Sequence, residues 1–263
     1  MHKGITNFLS AVIITKNEEK NIASCLQSLQ GIADEVIVVD SFSTDKTEEL
    51  CKSFGARFFS RQWEGYAATK NWANEQANSH WIISLDADEV LSEALRKSIL
   101  AVKNSAGENN NFFYSFHRLT NYCGKWIKHG GWYPDTKTRL FDRRKARWVG
   151  DFVHETLHID DNIQPILLKG DCLHYSFHTI AQHIDNINHY STLSAQEQFS
   201  KGKRSSLSKL IFSPWLSFMR MYFFKAGFLD GKYGFIIAMI SAMARFVRYA
   251  KLHQMGNQLK IKN

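Results

Sequence analysis

Residues 10–40 read SAVIITKNEEKNIASCLQSLQGIADEVIVVD, and this stretch decides the fold. Its two ends, SAVIIT and EVIVVD, are short apolar runs that finish in polar residues, which predicts two buried β-strands. Between them, Ile22, Cys25, Leu26 and Leu29 recur at the spacing of one helical face. A strand, a helix and a second strand in this order predict a βαβ unit with parallel strands.

The same alternation continues along the chain. The next predicted elements are a helix from an N-cap at Thr44 to Phe54, a strand at Ala56–Ser60, a helix at Tyr66–Ala77, a strand at His80–Asp86 and a helix from a cap at Ser92 to Val102. Short strands, mixed or antiparallel, are then predicted at Phe112–Arg118, Arg139–Arg143, Ala146–Val149, Val153–Ile159 and Pro165–Lys169, and a helix opens at Ile180. We therefore expect an α/β fold in which helices flank a mostly parallel sheet, with boundaries near residues 110 and 200.

Composition and charge narrow the class of protein. Of the 263 residues 44% are apolar and 22% are charged, which is typical of a folded globular chain. Residues 1–110 carry 11 Lys and Arg against 15 Asp and Glu, whereas residues 199–263 carry 12 against the single acid Asp230. Four widely spaced cysteines without a CxxC pair, and no apolar core followed by a cleavage site near Met1, predict a cytoplasmic protein without a signal peptide.

The basic C-terminal segment, residues 201–263, is also rich in aromatic side chains. Its longest uncharged runs, Leu210–Met219 and Tyr233–Ala244, span 10 and 12 residues, whereas a membrane-spanning helix needs about 20. Arg245, Arg248 and Lys251 follow a three-residue step and predict one basic helical side. We expect a helical extension that lies on an anionic membrane. The alternatives are a helical hairpin packed on the rest of the chain and nucleic-acid binding, which the acidic front of the chain does not favour.

Polar segments follow three of the predicted strands. They are Thr15–Glu19 (TKNEE), Asp40–Asp45 (DSFSTD) and Asp86–Glu89 (DADE). Because ligands of parallel sheets bind at the carboxyl ends of the strands, these segments are expected to share one cleft. The chain has no GxxxxGKS/T, GxGxxG or GxSxG motif, which disfavours a P-loop ATPase, a dinucleotide dehydrogenase and an α/β-hydrolase.

The segments TKNEE, VVDSFSTDKT, ATKNWA and SLDADE, in this order and spacing, resemble the nucleotide-binding half of family 2 glycosyltransferases, which have the Rossmann-like GT-A fold. With GWYPDTKTRLF, WVGDFVHE and LHYS included, the chain is similar over about residues 9–180 to bacterial lipopolysaccharide-core enzymes of the β-1,4-glucosyltransferase type. The resemblance implies an inverting transfer of a hexose, glucose, from a UDP-sugar to a glycan or lipid-linked acceptor at the inner face of the cytoplasmic membrane. It implies a nucleotide-sugar-binding half at 1–110, an acceptor-binding half at 111–200 and the extension at 201–263.

The resemblance also assigns residues to the nucleotide. Asp40 would accept hydrogen bonds from the base or the ribose. Thr15, Asn17, Glu18 and Ser41 would line the same pocket.

Asp86 and Asp88 correspond to the DxD element. One residue between them brings two carboxylates to one strand end, where they would hold Mg²⁺ or Mn²⁺ and bridge it to the donor diphosphate. His174 is a further candidate metal ligand, with His154 second. Lys70 and Arg139 are candidates for the diphosphate. Their alternatives are a solvated lysine on a helix and an ion pair within the sheet.

The acceptor side needs a general base that takes the proton of the attacking hydroxyl. Glu155, in a VHE motif of the resembled enzymes, is the first candidate. Asp135, beside Trp132 and Tyr133, is the second, because these rings could stack on a sugar. The alternative for Glu155 is an ion pair with Arg139 or Arg147.

Two other functions stay open at this point. A nucleotidyltransferase also uses paired acids with Mg²⁺, but such enzymes carry an early Gly-rich phosphate loop that this chain lacks. A membrane-bound scaffold with a degenerate GT-A domain is the non-enzyme alternative, and the intact Asp40, Asp86 and Asp88 argue against it.

Overall fold

A computed structural model describes residues 8–105, 113–150, 155–160 and 162–261. The chain forms two compact units: the first comprises Met1–Arg118 and Asp135–Tyr175, and the second comprises Leu119–Pro134 and Ser176–Asn263. The units divide the chain at other points than the boundaries expected near residues 110 and 200, because the second unit takes in an internal segment as well as the C-terminal helices.

The described residues contain eleven strands and seven α-helices. The strands are β1 (Leu9–Thr15), β2 (Glu35–Asp40), β3 (Arg57–Ser60), β4 (Trp81–Asp86), β5 (Glu89–Leu91), β6 (Phe113–Tyr122), β7 (Lys125–Ile127), β8 (Asp135–Asp142), β9 (Ala146–Val149), β10 (Thr156–Ile159) and β11 (Ile166–Phe177). The helices are α1 (Ile22–Leu29), α2 (Thr47–Ser53), α3 (Tyr66–Glu75), α4 (Glu93–Ser105), α5 (Ile180–Ser200), α6 (Leu207–Met219) and α7 (Gly231–Ile261).

The main sheet has the strand order β3-β2-β1-β4-β8-β6-β11-β5. The pairs among β3, β2, β1 and β4 are parallel, whereas β4–β8, β8–β6 and β11–β5 are antiparallel. Strands β9 and β10 form a separate antiparallel pair. This arrangement confirms the predicted α/β fold. Helices flank the parallel part of the sheet, and further helices follow in the C-terminal segment.

The sheet of the first unit is covered on both faces. Along β1, Leu9, Ala11 and Ile13 enter a core shared with α1, α2 and α4. Val12 and Ile14 enter a second core that includes side chains of α3. Since successive side chains of a strand point to opposite faces, a strand buried on both faces needs an uninterrupted apolar run. This requirement explains why β1 and β2 read as continuous apolar segments.

Strands β2 and β9 have the predicted bounds, and β1, β3 and β4 differ from prediction by one residue. Strand β5 was not predicted, because its three residues give no periodic signal of their own. Helix α2 begins at Thr47 rather than after Thr44, since Asp45 Oδ1 accepts a hydrogen bond from the Thr47 N–H and forms the turn there. Phe112 and the start of the predicted Val153–Ile159 strand lie outside the described residues.

The second unit is mainly helical. Helix α7 packs against both α5 and α6, and a π-helical turn (Arg220–Phe224) and a 3₁₀ turn (Gly227–Asp230) lie between α6 and α7. Within the described part of the chain, every helix is too short or too polar to cross a membrane. The helices of this unit pack on one another, and exposed apolar side chains remain on α6 and α7.

The predicted basic side of α7 forms, since Arg245, Arg248 and Lys251 all face α5, but the expectation of a free basic surface is wrong for Lys251. Its ammonium donates hydrogen bonds to the Asn188 carbonyl oxygen and to Thr192 Oγ1, each over 2.7 Å. The three-residue step places Lys251 on the side of α7 that faces α5, so this cation joins two helices instead of facing solvent.

Candidate functional site

The loops that follow β1 and β2 are hydrogen-bonded to each other. The Asn17 N–H donates to Ser43 Oγ over 2.7 Å, and Asn17 Oδ1 accepts from the Thr44 N–H over 2.8 Å. Asp40 accepts from the Ser43 N–H over 2.7 Å, so its carboxylate holds the turn after β2. Asn17, with a φ of 54°, adopts the left-handed conformation that this turn needs.

These contacts bring together the side chains expected to line a nucleotide pocket. The Ser41 N–H donates to the Thr15 carbonyl oxygen over 3.0 Å, and both residues are buried. Thr15 Oγ1 is buried without a hydrogen-bond partner among the described residues. Because buried hydroxyls are nearly always paired, this orphan group at the end of β1 is suited to a bound ligand.

Glu18 lies next to this pocket and has an unusual acidity. The pKa of its carboxyl is raised to about 7, mainly by burial and also by the charges of Asp88 and Asp45, although a hydrogen bond from Asn21 lowers it. The Glu18 N–H donates to Thr47 Oγ1 over 2.8 Å, which fixes the loop after β1 to the start of α2. The Glu18 carboxyl therefore titrates close to neutral pH, under the influence of the Asp88 charge.

Asp86 ends β4 at the level at which Asp40 ends β2. Thr15 of the intervening strand β1 pairs with Asp40, and Ile14 pairs with Asp86. Two strand spacings separate the two aspartates by about 10 Å. The carboxyl ends of the parallel strands thus present their acids along one edge of the sheet.

Two cations contact the Asp86 carboxylate. Lys70 Nζ lies 2.9 Å from Oδ1, and the Arg139 guanidinium lies 2.9 Å from Oδ2. Burial alone would raise the pKa of Asp86, but Lys70 and Arg139 outweigh it and hold the pKa well below its usual range. Each carboxylate oxygen of Asp86 thus has a protein cation within ion-pair distance, but Oδ1 is buried and accepts no hydrogen bond from the described residues.

Lys70 is not the solvated helix lysine of the alternative interpretation. Its side chain is 1% exposed, and its ammonium lies 3.1 Å from Glu155 Oε1 and 4.8 Å from the centre of the Trp148 ring. Glu155, the first candidate for the general base, thus pairs with Lys70 rather than with Arg139 or Arg147. One ammonium links Asp86, at the end of the sheet, to Glu155.

Arg139 forms an ion pair within the sheet, as its alternative interpretation stated. Besides Asp86, its guanidinium lies 3.4 Å from Glu89 Oε1. Burial lowers the pKa of Arg139, but Glu89 and Asp86 outweigh burial and raise it. Its Nε is buried and has no acceptor among the described residues, which leaves one donor for a ligand.

Asp88 and His174 are in direct contact. His174 Nε2 lies 3.1 Å from Asp88 Oδ2. Burial lowers the pKa of His174, but the Asp88 carboxylate outweighs burial and raises it. The predicted pair of metal-ligand candidates is thus adjacent in the first unit, whereas His154 lies outside the described residues.

The donor set fits a hard divalent cation only in part. Over the described residues, no group of three or more His, Cys, Asp or Glu side chains is placed to hold a metal ion. Mg²⁺, however, commonly binds proteins through one or two carboxylates and completes its shell with water and substrate phosphates. Asp88 and His174 fit that mode, and the raised pKa of Glu18 reduces the negative charge of that neighbouring carboxyl near pH 7. The oxygens of Asp86 already lie within ion-pair distance of Lys70 and Arg139.

Asp135, the second candidate base, is held by two cations. Its Oδ2 lies 2.8 Å from Arg118 Nη2, and its Oδ1 lies 3.0 Å from Lys137 Nζ. Burial raises the pKa of Asp135, but Arg118 and Lys137 outweigh it and lower the pKa below its ordinary value. A carboxylate with a lowered pKa is a weaker proton acceptor near neutral pH.

Sequence reasoning missed Glu89, Arg118 and Trp148. Glu89 is 1% exposed and accepts a hydrogen bond from the Asp86 N–H over 3.0 Å, so it holds the turn that carries the two aspartates. Arg118 lies 3.2 Å from Glu89, and Trp148 lies under the charged ends of Lys70 and Arg139. The available signal was Glu89 itself, the third acid of the DADE segment and the first residue of β5.

A cavity of about 550 Å³ in the same unit lies elsewhere. Its lining includes His80, which precedes β4, and Asn74 near the end of α3, together with Arg143, Arg144 and Arg147. His80 and Asp86 are at opposite ends of β4, about 20 Å apart along the strand. This cavity is therefore distinct from the cluster of acids and cations at the carboxyl ends of the strands.

The family profile and the sequence relatives agree on one family. The sequence profile of the family described as Glycosyl transferase family 2 matches residues 10–154. An uncharacterized glycosyltransferase of Rickettsia typhi, RT0209, is 33% identical over 97% of this chain and 89% of its own length. The lipopolysaccharide core biosynthesis glycosyltransferase LpsC of Rhizobium meliloti is 35% identical over 94% of this chain and 92% of its own length. Among solved structures, glucosyl-3-phosphoglycerate synthase of Mycobacterium tuberculosis matches 44% of each chain at 22% identity with a TM-score of 0.35.

Proposed function

The chain belongs to glycosyltransferase family 2, and on this premise we propose that it transfers a hexose from a nucleotide sugar to a lipopolysaccharide-core glycan or a lipid-linked acceptor. We take the donor to be UDP-linked, the sugar to be glucose and the transfer to invert the anomeric carbon. The full-length similarity to LpsC supports the choice of acceptor. The observation that carries the proposal is the line of acids at the carboxyl ends of β2 and β4, the parallel strands on either side of β1, where Asp40 ends β2 and Asp86 and Asp88 follow from β4.

In this proposal the nucleoside lies at the ends of β1 and β2. Asp40 accepts hydrogen bonds from the base or the ribose, and the orphan hydroxyl of Thr15 donates or accepts a hydrogen bond with the same group. Asn17 and Ser41 shape the turn, and Glu18 offers a carboxyl that can bond a ribose hydroxyl in either protonation state.

The diphosphate lies near the end of β4. Asp88 and His174 would hold Mg²⁺ or Mn²⁺, which when bound neutralises the charge that develops on the departing nucleotide diphosphate. Asp86 is the other carboxylate of the pair, and its contacts give it a second role, which is to hold the cations of Lys70 and Arg139 in place. The unpaired Nε of Arg139 adds a donor suited to a phosphate oxygen.

Glu155 is the proposed general base. The acceptor hydroxyl attacks the anomeric carbon, its proton passes to Glu155, and the nucleotide diphosphate leaves with the electron pair of the broken C–O bond. Among the described residues the ion pair with Lys70 uses Oε1 of Glu155, and in this proposal Oε2 takes the proton of the acceptor. The paired cations make Asp135 the weaker candidate.

A donor assay tests the proposal. Purified full-length protein is incubated with UDP-, GDP- and CMP-sugars, with Mn²⁺ or with EDTA, and release of the free nucleotide is followed. We expect UDP release that depends on Mn²⁺. Pyrophosphate release from a nucleoside triphosphate and a sugar phosphate would favour the nucleotidyltransferase. Absence of turnover with every donor, with and without an acceptor extract, would favour the scaffold.

We also propose that the enzyme is cytoplasmic and associates peripherally with the inner face of the cytoplasmic membrane through its second unit. On α6, Leu207, Ile211 and Trp215 follow a four-residue step and are 70%, 60% and 59% exposed, and Phe224 is 83% exposed. Asp230, the one acid of residues 199–263, is buried and accepts the His129 N–H over 2.8 Å. The described part of residues 199–263 thus exposes apolar and cationic side chains but no acid, which complements an anionic lipid surface.

A further inference from the structure

A cavity of about 310 Å³ lies within the second unit, between α5 and α7. Its lining on α5 includes His183, Asn186, Ser191 and Ser194, which recur at helical spacing and so form one face of that helix. On α7 the lining residues recur in the same way, at Ser241, Ala244, Arg245 and Arg248. Two facing helix surfaces thus enclose a space at the lower end of the range for small-ligand sites.

The charges around this cavity are of one sign. Arg245 and Arg248 line it, and its lining contains no carboxylate. Within the described ranges, neither arginine has an acidic side chain within ion-pair distance. A third cation is close, since Lys251 Nζ lies 2.9 Å from Ser191 Oγ, a residue of the lining. The cavity therefore carries positive charge that the described side chains do not neutralise.

One of these cations also has an unmade hydrogen bond. Nε of Arg248 is buried and has no acceptor among the described residues, although the guanidinium lies against the Tyr249 ring at 4.7 Å. Leaving a buried charged donor unpaired is costly, so such a group in a cavity indicates an acceptor that comes from outside the chain. The planar guanidinium is the side chain best suited to the oxygens of a phosphate or a carboxylate.

The rest of the lining matches a sugar rather than an acyl chain. Ser194, Ser241 and Asn186 supply hydroxyl and amide groups, and Phe177 supplies an aromatic face for sugar C–H groups. His183 is held by a 3.0 Å hydrogen bond between its Nδ1 and the Tyr122 hydroxyl. Burial lowers the pKa of His183 to about 4, so the ring stays neutral and offers its remaining nitrogen to a hydroxyl.

We propose that the cavity between α5 and α7 binds a sugar that carries a phosphate group, with Arg245 and Arg248 on the phosphate and the serines and Asn186 on the sugar hydroxyls. Under the glycosyltransferase function proposed above, on which this last identification rests, the ligand is a phosphorylated sugar of the acceptor glycan. The phosphate could also belong to a lipid headgroup, and the experiment distinguishes the two sources.

The experiment measures binding to the full-length protein by calorimetry at low salt. The probes are mannose 6-phosphate, neutral mannose, inorganic phosphate and dihexanoyl phosphatidic acid below its micelle concentration. We expect mannose 6-phosphate to bind more tightly than any of the other three. Tighter binding of the phosphatidic acid would overturn the sugar assignment, and equal binding of phosphate and mannose 6-phosphate would reduce the cavity to a simple anion site and overturn it as well.

Variants locate the binding in the cavity. Arg245→Gln and Arg248→Gln should each weaken mannose 6-phosphate binding about tenfold or more, the usual loss for one charged hydrogen-bond donor. Arg248→Lys should lose less, because it keeps the charge. Lys125→Gln, which removes an exposed cation of β7 outside the lining, is the matched control and should change nothing.

Arg245 is exposed, so its replacement is not expected to disturb folding, and thermal unfolding of each variant checks this point. Unchanged binding in both Gln variants would overturn the proposal. The assay contains no donor and needs no turnover, so its result is independent of the donor assay that tests the glycosyltransferase function.

Discussion

The ammonium of Lys70 lies 2.9 Å from Oδ1 of Asp86, and its side chain is 1% exposed. Lys70 comes from α3 and Asp86 ends β4, so this ion pair ties a helix to the strand end that carries the predicted DxD element. The contact of the same ammonium with Glu155 extends the network to the proposed base. A substitution of Lys70 should therefore lower both the free energy of unfolding and the enzymatic activity.

The first prediction concerns the stability of this network. Lys70→Met keeps the length of the side chain but leaves Arg139 as the one cation of the described residues within ion-pair distance of the Asp86 carboxylate. We expect the free energy of unfolding to fall by about 3 kcal/mol, the low end for a broken buried ion pair, because the Asp86 side chain is 27% exposed. The matched control is Lys52→Met, which removes an exposed lysine paired with Glu48 on α2 and should cost less than about 1 kcal/mol. Urea unfolding of both variants gives the comparison, and equal losses would contradict the structural role of Lys70.

The second prediction concerns Asp88. Asp88→Ala should abolish metal-dependent turnover, a loss of at least about 100-fold, because the leaving diphosphate is no longer compensated. The fold should persist, since the Asp88 side chain is partly exposed. Because Asp88 raises the pKa of His174, NMR titration should show a lower His174 pKa in the variant. Glu49→Ala, at an exposed acid of α2, is the control. Wild-type turnover in Asp88→Ala would rule out the DxD assignment.

The third prediction distinguishes the two candidate bases. Glu155→Gln keeps the shape of the side chain but cannot accept a proton, so kcat should fall about 10²–10⁴-fold. The donor KM should change little, because Glu155 acts on the acceptor. Asp135→Asn should have the smaller effect, since two cations already lower the pKa of that carboxyl. Steady-state kinetics of both variants decides the point. A collapse in Asp135→Asn with normal turnover in Glu155→Gln would reverse the two roles.

The fourth prediction follows from the raised pKa of Glu18. Its carboxyl has a pKa of about 7 in the folded protein against 4.5 ordinarily. Between these pH values the folded state binds more protons at this site than the unfolded state, so stability should decrease as pH rises from about 4.5 to about 7. Glu18→Gln removes this dependence. Urea unfolding with EDTA at several pH values should therefore show the variant gaining on the wild type across that window. Parallel curves would show that Glu18 titrates normally, and Glu49→Gln serves as the control.

The fifth prediction concerns the exposed surface of the second unit. Lys209→Glu with Arg220→Glu should weaken binding to anionic vesicles about tenfold or more, at about 1 kcal/mol for each basic side chain. Trp215→Ser with Phe224→Ser should weaken binding to the same vesicles, because it removes aromatic area that would be buried in the membrane. Co-sedimentation with phosphatidylglycerol vesicles at low and high salt measures both, with phosphatidylcholine vesicles as the control. Equal pelleting of wild type and both double variants would leave these helices without a membrane role.

The alternation of strands and helices over residues 9–105 was predictable from the sequence. Strands such as β1 and β2 are buried on both faces, so their apolar runs are unbroken and end where the polar site begins. The placing of Asp40 and Asp86 at one edge of the sheet followed from the same pattern, because parallel neighbours bring their carboxyl ends together. Local sequence patterns were sufficient for these elements, because the pattern of each strand or helix lies within a few consecutive residues.

The partners of the charged groups were decided by the tertiary structure alone. Lys70 and Glu155 are 85 residues apart in sequence, and no local pattern shows that this cation, rather than Arg139 or Arg147, lies beside the candidate base. Lys251 likewise joins α7 to α5 through hydrogen bonds across about 60 residues. Strand β5 exists because β11 pairs with it, not because three residues prefer an extended conformation. Ion pairs and short strands depend on which elements pack side by side, and the sequence by itself determines the elements more strongly than their neighbours.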